Sequence, residues 1–168
     1  MLTLTFHGHA CFTFEADGRR VIIDPFLTGN PATDIPLARL PKIDAVLLSH
    51  GHGDHLGDAT GQFTTNPCGV VVTMGGRTVY HCGDTGLTVE MQLLAGRVDA
   101  MLVPIGDNYT MGVDDAVRAV EFVQPRAVIP MHYNTWDVIK ADPEQFKRQV
   151  GGRARVVVLA PGDAHTLS

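Results

Sequence analysis

Three histidines and an aspartate crowd into one short stretch, Ser49-His50-Gly51-His52-Gly53-Asp54-His55. It follows an apolar run, Ala45-Val46-Leu47-Leu48, that reads as a buried strand. The two glycines permit a tight loop whose backbone does not crowd the side chains. Neutral imidazole nitrogen and carboxylate oxygen are the donors that Zn²⁺ and other first-row divalent ions accept. A polar loop with incidental histidines is the competing view. Four donors at the end of one buried strand argue against it, so the loop is expected to hold metal.

The remaining chain sets the context for that loop. A length of 168 residues fits one domain, 1–168. An apolar content of 45% and a charged content of 18% are those of an ordinary globular core. A formal net charge of -5 argues against nucleic acid as a partner, since such binders carry a basic face. No Lys/Arg run suggests an anionic membrane surface, and no apolar run is long enough to span a bilayer. The N-terminal residues alternate apolar and polar and do not read as a signal peptide. Cys11, Cys68 and Cys82 are odd in number and irregular in spacing, so no disulfide framework is expected and a reduced, cytoplasmic setting is the default.

Taken in order, residues 2–6, 10–15 and 20–24 read as strands, the latter two joined at Asp17-Gly18 by a hairpin turn. Residues 26–42 carry Pro31, Pro36 and Pro41 and read as a long loop with one helical turn near 37–40. A helix is expected to begin at 56–60, and 61–67 carries no clear period. Residues 69–74 and 77–82 form a second hairpin across Gly75-Gly76. A short helix at 89–94, a strand at 98–103, an amphipathic helix at 114–123 and a strand at 126–129 follow. Asp142 caps a last helix that starts with Pro143. The strand expected at 154–159 is the last, and 161–168 reads as a tail. Strands first, then strand–helix alternation, gives an α/β chain with mixed sheets covered by helices.

His50, His52, Asp54 and His55, then Asp84, Asn108 and His132, all come directly after expected strands. Sites in layered α/β proteins assemble in the loops beyond strand C-termini. At these residues the chain resembles a known family. His50-x-His52-x-Asp54-His55, Gly83-Asp84-Thr85 and His132 look like the metallo-β-lactamase-fold hydrolases. The flanking text His7-Gly8-His9, Ile23-Asp24-Pro25-Phe26, Pro104-Ile105-Gly106-Asp107-Asn108 and Pro130-Met131-His132-Tyr133-Asn134-Thr135 is similar to small metal-dependent hydrolases, a group similar to the ascorbate-6-phosphate lactonase branch.

The resemblance implies an αββα sandwich with a two-metal site at the edge between the sheets. His50 and His52 match ligands of a first metal, Asp54, His55 and His132 match ligands of a second, and Asp84 matches the carboxylate bridging them. One departure stands out. The family carries a further histidine ligand of the first metal between the loop helix and the hairpin before the bridging aspartate, and that segment is missing here. The fold is therefore expected to be shortened by loss of a central segment. Bared sheet edges invite pairing with another chain, so a homo-oligomer or marginal stability is expected. Cys82 and His81 are the nearby residues that could replace the absent ligand, and His165 reads as a surface residue.

The resemblance implies a metal-dependent hydrolase in which a hydroxide held by the ions attacks a small ester, lactone or amide. Two divalent ions are implied, Zn²⁺ foremost with Mn²⁺ or Fe²⁺ as alternatives, or one ion if only the second site fills. Asp54 and Asp84 are the candidate catalytic residues. His7, His9, Asn108, Tyr109, Asn134 and Trp136 are the candidate substrate-lining residues, with hydrogen-bonding support of the ligands an alternative for His7 and His9. The absence of a Lys/Arg cluster in these loops disfavours a highly anionic substrate. The rival view is a non-catalytic remnant that holds one ion at Asp54, His55, Asp84 and His132.

Overall fold

The computed structural model describes residues 1–60 and 66–168. Strands β1 (Leu2–Phe6), β2 (Phe12–Ala16) and β3 (Arg19–Ile23) form an antiparallel meander. Leu2, Leu4 and Phe6 point into the core, while Thr3 and Thr5 between them are half-buried. Asp17 and Gly18 both take positive φ, the turn geometry that matches the strand twist. Strand β4 (Ala45–Leu47) joins β3 in parallel and leads into a one-turn helix, α1 (Gly53–Leu56). The helix expected at 56–60 is thus this earlier turn. Gly57 ends it at φ +50°, where a Cβ would run into the Pro25 carbonyl. Part of the aperiodic 61–67 segment lies outside the described residues.

The second sheet opens with the hairpin β5 (Val70–Met74) and β6 (Arg77–His81). Strands β7 (Ala100–Pro104), β8 (Ala127–Met131) and β9 (Arg155–Val156) add in parallel. The chain passes from β7 to β8 through α2 (Val113–Val123) and from β8 to β9 through α3 (Pro143–Val150). Asp142 caps α3 by accepting from the Glu144 N–H at 2.9 Å, as the sequence indicates. Residues Val89–Leu94 form a 3₁₀ segment rather than an α-helix.

The C-terminal end departs most from expectation. The strand at 154–159 shrinks to β9, and the expected tail becomes β10 (Ala164–Leu167), antiparallel to β1. Four residues are too few for alternation to be legible, and the pairing partner lies at the other end of the chain. His165, expected at the surface, is partly buried on this strand opposite Leu4.

The strand orders are β10-β1-β2-β3-β4 and β5-β6-β7-β8-β9. One core lies between the sheets, where Leu4, Phe12 and Phe14 meet Val79, Leu102 and Ile129, all fully buried. Each such side chain contributes about 1.5–3 kcal/mol by leaving water. The outer face of the second sheet is covered by Ala116, Val120 and Val123 of α2 and Phe146 of α3. The outer face of the first carries a small separate cluster, Cys11, Ile22 and Leu27, capped by Ile35 and Leu40 of the long loop and by Ile43 just after it. This is an αββα sandwich whose first helical layer is reduced to α1 and the 3₁₀ turn Leu37–Arg39. Val46 on β4 and Val71 on β5 are about half exposed at the two sheet edges. Among the described residues no helix is long and apolar enough to cross a membrane.

Candidate metal centre

Three strand ends deliver the site. After β4 comes the loop Ser49–His52 and then α1, after β6 comes Gly83-Asp84, and after β8 comes His132. The backbone turns through positive φ after β6, after β8 and at the neighbouring end of β3. His132 sits at φ +52° and Asp24, which follows β3, at φ +49°. Non-glycine residues in this region carry strain that clusters at functional sites. Gly83, at φ +63°, admits no Cβ, because one would lie 2.8 Å from the Cys68 carbonyl oxygen and 2.9 Å from the Ser49 Cβ. That close approach brings Asp84 against the histidine loop.

Asp84 is the hub. Its Oδ1 lies 3.1 Å from His55 Nε2 and 3.3 Å from His132 Nε2, and its Oδ2 lies 3.9 Å from His50 Nε2. His50 Nε2 is 3.0 Å from His52 Nδ1. His9, Asp54, His55 and His132 bring donor atoms within 4.8 Å of one another, as do His50, His52 and Asp84. The structure therefore draws all six sequence-designated ligands into two adjoining clusters and adds His9.

A carboxylate behind the site sets the orientation of the rings. Asp24 is wholly buried; it accepts from His55 Nδ1 at 2.7 Å, from the Ser49 hydroxyl at 2.6 Å and from the Ser49 N–H at 2.7 Å. With its hydroxyl proton given to Asp24, Ser49 Oγ accepts from His50 Nδ1 at 3.0 Å. Both rings thereby turn Nε2 inward, the orientation in which a carboxylate or hydroxyl behind the ring holds a metal-binding histidine. Asp24 is the main residue that sequence reasoning did not assign. Its place in the Ile23-Asp24-Pro25-Phe26 match was the available signal.

Whether a divalent ion suits these residues can be judged from their unspent polar atoms. His55 Nε2, Asp84 Oδ1 and both ring nitrogens of His132 are buried without an aligned hydrogen-bond partner. Burying such atoms unsatisfied costs free energy, and three of them converge on one small volume. The donor set of imidazoles and carboxylates is that of Zn²⁺ and similar ions. The residues fit.

Charges respond accordingly. Burial opposes charging of His55, but the Asp24 and Asp84 carboxylates outweigh it and raise its pKa to about 9. Burial would raise Asp84, but His132 and His55 hold it far below the usual carboxylate range. The His9 hydrogen bond brings Asp54 down to about 2. Burial lowers His9 and His50.

A cavity of about 410 Å³ opens over the site, lined by His50, His52, Asp54, Pro67, Asp84, Tyr109 and His132. Of the six side chains expected at the mouth, Tyr109 lines this cavity. Trp136, 40% exposed, stands edge-on to His9 at 5.1 Å. The others lie elsewhere. His7 is buried against Asp34 and Thr13 at 2.8 Å each. His9 is 1% exposed, behind Asp54. Asn108 occupies a turn at φ +58°, and Asn134 accepts from the Ala141 N–H. Neither residue offered as a replacement ligand reaches the clusters. His81 spends Nε2 on the Ala10 carbonyl and Nδ1 on the Gly83 N–H, and Cys82 is buried beside Tyr80.

Comparison with known proteins identifies the relatives of this fold. A family model described as a beta-lactamase superfamily domain matches residues 3–65 and 57–132. A UPF0173 metal-dependent hydrolase of Pyrococcus furiosus is 36% identical over 223 aligned positions, covering 98% of this chain and 99% of the relative. One from Heliobacterium modesticaldum is 39% identical over 235 positions, covering 100% and 98%. The structure of Igni18, a metallo hydrolase of Ignicoccus hospitalis, superposes with a TM-score of 0.90 at 31% identity, covering 99% of this chain and 98% of that one. The first alignment is more than fifty positions longer than this 168-residue chain. The two stretches matched by the family model meet at 57–65, where the resemblance places the absent histidine. The chain belongs to the UPF0173 metal-dependent hydrolases, within the beta-lactamase superfamily.

Proposed function

We propose that this protein hydrolyses a small lactone, ester or amide with divalent ions, Zn²⁺ foremost, held by His50, His52, Asp54, His55, Asp84 and His132. The observation that carries the proposal is the convergence of orphaned His55, His132 and Asp84 atoms from three strand ends beneath an open cavity. Bound ions would lower the pKa of water towards neutrality and polarise the electrophilic oxygen.

The chain's own residues supply the rest. Asp84 faces His50, His55 and His132 at once and so can join the two clusters. Asp54 and Asp84 stay ionised throughout the neutral range and orient water by accepting hydrogen bonds from it. Tyr109 and Pro67 give the cavity an apolar side for the organic part of a substrate. Among the described residues no Lys or Arg lines it, which disfavours phosphate-rich substrates.

A second reading has its own support. More than fifty aligned positions of the relatives have no counterpart here, and the His50, His52 and Asp84 cluster has three donors, with His52 exposed. On that view the chain holds one ion and turns nothing over. A panel of lactones, aryl esters and amides, assayed with Zn²⁺- and Mn²⁺-loaded protein, separates the two. Turnover above free ion that falls at least about 100-fold in Asp54→Ala supports the hydrolase. One bound ion with no turnover, unchanged by Asp54→Ala, supports the remnant.

A further inference from the structure

We propose that His9 is a positioning residue of the metal centre, locked by Thr135 so that it holds the Asp54 carboxylate and the His132 ring in donor geometry. The inference rests on the metal-binding proposal above and deepens it.

Four contacts place His9 in this part. Its Nε2 lies 3.2 Å from Asp54 Oδ2, and its Nδ1 lies 2.9 Å from the Thr135 hydroxyl. Its ring centroid is 4.1 Å from that of His132. Its carbonyl accepts the His132 N–H at 2.8 Å. One residue therefore touches a carboxylate from α1 and both the ring and the backbone of the residue after β8. A carboxylate oxygen accepts, so Nε2 presents its proton to Asp54 and Nδ1 accepts from the Thr135 hydroxyl. Thr135 thus fixes the tautomer that Asp54 requires. Outer partners of this kind hold ligands in place for an ion.

Two features distinguish this from a histidine that merely fills the core. His9 adopts φ +59°, a conformation costly for a side chain of this size, immediately after Gly8 at φ +96°. Only 1% of it is exposed, yet both ring nitrogens are spent on polar groups remote in sequence, one of them a candidate ligand. Trp136 and Phe26 pack edge-on to the ring at 5.1 and 5.9 Å.

The test compares the parent protein with His9→Asn, Thr135→Val and Thr135→Ser. Asparagine tolerates positive φ but is too short to reach Asp54. Valine keeps the shape of threonine without its hydroxyl. The probe is Co²⁺ alone, added to chelator-stripped protein, with affinity read by chelator competition and coordination by visible absorption. His9→Asn should weaken the tighter ion by about 10–100-fold. Thr135→Val should weaken it in the same direction, and Thr135→Ser should restore it, all with the parent's absorption envelope. Affinities within about twofold of the parent in His9→Asn and Thr135→Val would overturn the inference. An absorption envelope in His9→Asn that shows a lost nitrogen ligand would overturn it too, because His9 would then bind the ion directly. Should His9→Asn fail to fold, the Thr135 pair decides. A parent that binds no Co²⁺ ends the metal proposal and this inference together, whereas a binding parent with unaffected variants ends this inference alone.

Discussion

The Asp24 carboxylate and the His55 imidazole, thirty-one residues apart in sequence, meet at 2.7 Å with neither side chain exposed to solvent. The contact ties the strand end after β3 to the helix that carries two candidate ligands. It also decides which nitrogen of His55 faces Asp84. Asp24→Asn keeps the residue's size and tolerates its positive φ, yet removes the charge behind the ring. Divalent-ion affinity should fall by about 10–100-fold with the far-ultraviolet circular dichroism unchanged. Asp24→Ala should cost about 3–5 kcal/mol in urea unfolding of the metal-free protein, because it strands a buried His55.

The two clusters should fill unequally. Asp54, His55 and His132 are backed by His9 and Asp24, whereas His52 is exposed and its cluster has three donors. Calorimetric titration with Zn²⁺ should resolve two steps differing by at least about tenfold in affinity. His132→Ala should abolish the tighter step and His52→Ala only the weaker. Two equal steps would show that the missing segment costs the site nothing.

Gly83→Ala tests the approach of Asp84 to the histidine loop. The substitution forces a Cβ against the Cys68 carbonyl from a left-handed backbone. A loss of about 1–3 kcal/mol is expected from the backbone conformation alone. At about 2–4 °C per kcal/mol for a chain of this size, thermal unfolding should show it readily. Ion affinity should fall as well, since Asp84 cannot keep its place.

His81 gives the fold a pH dependence independent of any ion. Burial lowers its pKa, with Asp24 and the Ala10 carbonyl partly compensating, so the ring stays neutral in the fold. The unfolded chain takes up a proton near pH 6.5. Stability therefore falls as pH drops below that value, by up to about 1.4 kcal/mol per unit. Glutamine can donate to Ala10 and accept from Gly83 without titrating. In urea titrations between pH 7 and 5, His81→Gln should show a shallower loss than the parent, and an identical slope would refute the assignment.

Legibility in the sequence followed from distance along the chain. The histidine loop was readable because its donors are contiguous and end an apolar strand, and the antiparallel hairpins because glycine marks their turns. Asp84 and His132 were readable as polar residues after strands and through the family resemblance. Asp24 was not, because its role depends on a positive φ and on complete burial, and sequence displays neither. β10 was hidden because it is short and pairs with the first strand. The placement of His7 could not be foreseen, since its partner Asp34 lies in the irregular 26–42 loop. His7 and His9, one residue apart, share an expected face only if the strand continues, and Gly8 at φ +96° breaks it.

The account turns on donors from distant parts of the chain closing around an ion, and elemental analysis of the purified protein tests that most directly. Protein prepared without chelator, or stripped and reloaded, should carry at least about one tightly held divalent ion per chain, lost in Asp84→Ala and His132→Ala. A folded parent protein that neither retains nor takes up an ion would contradict it.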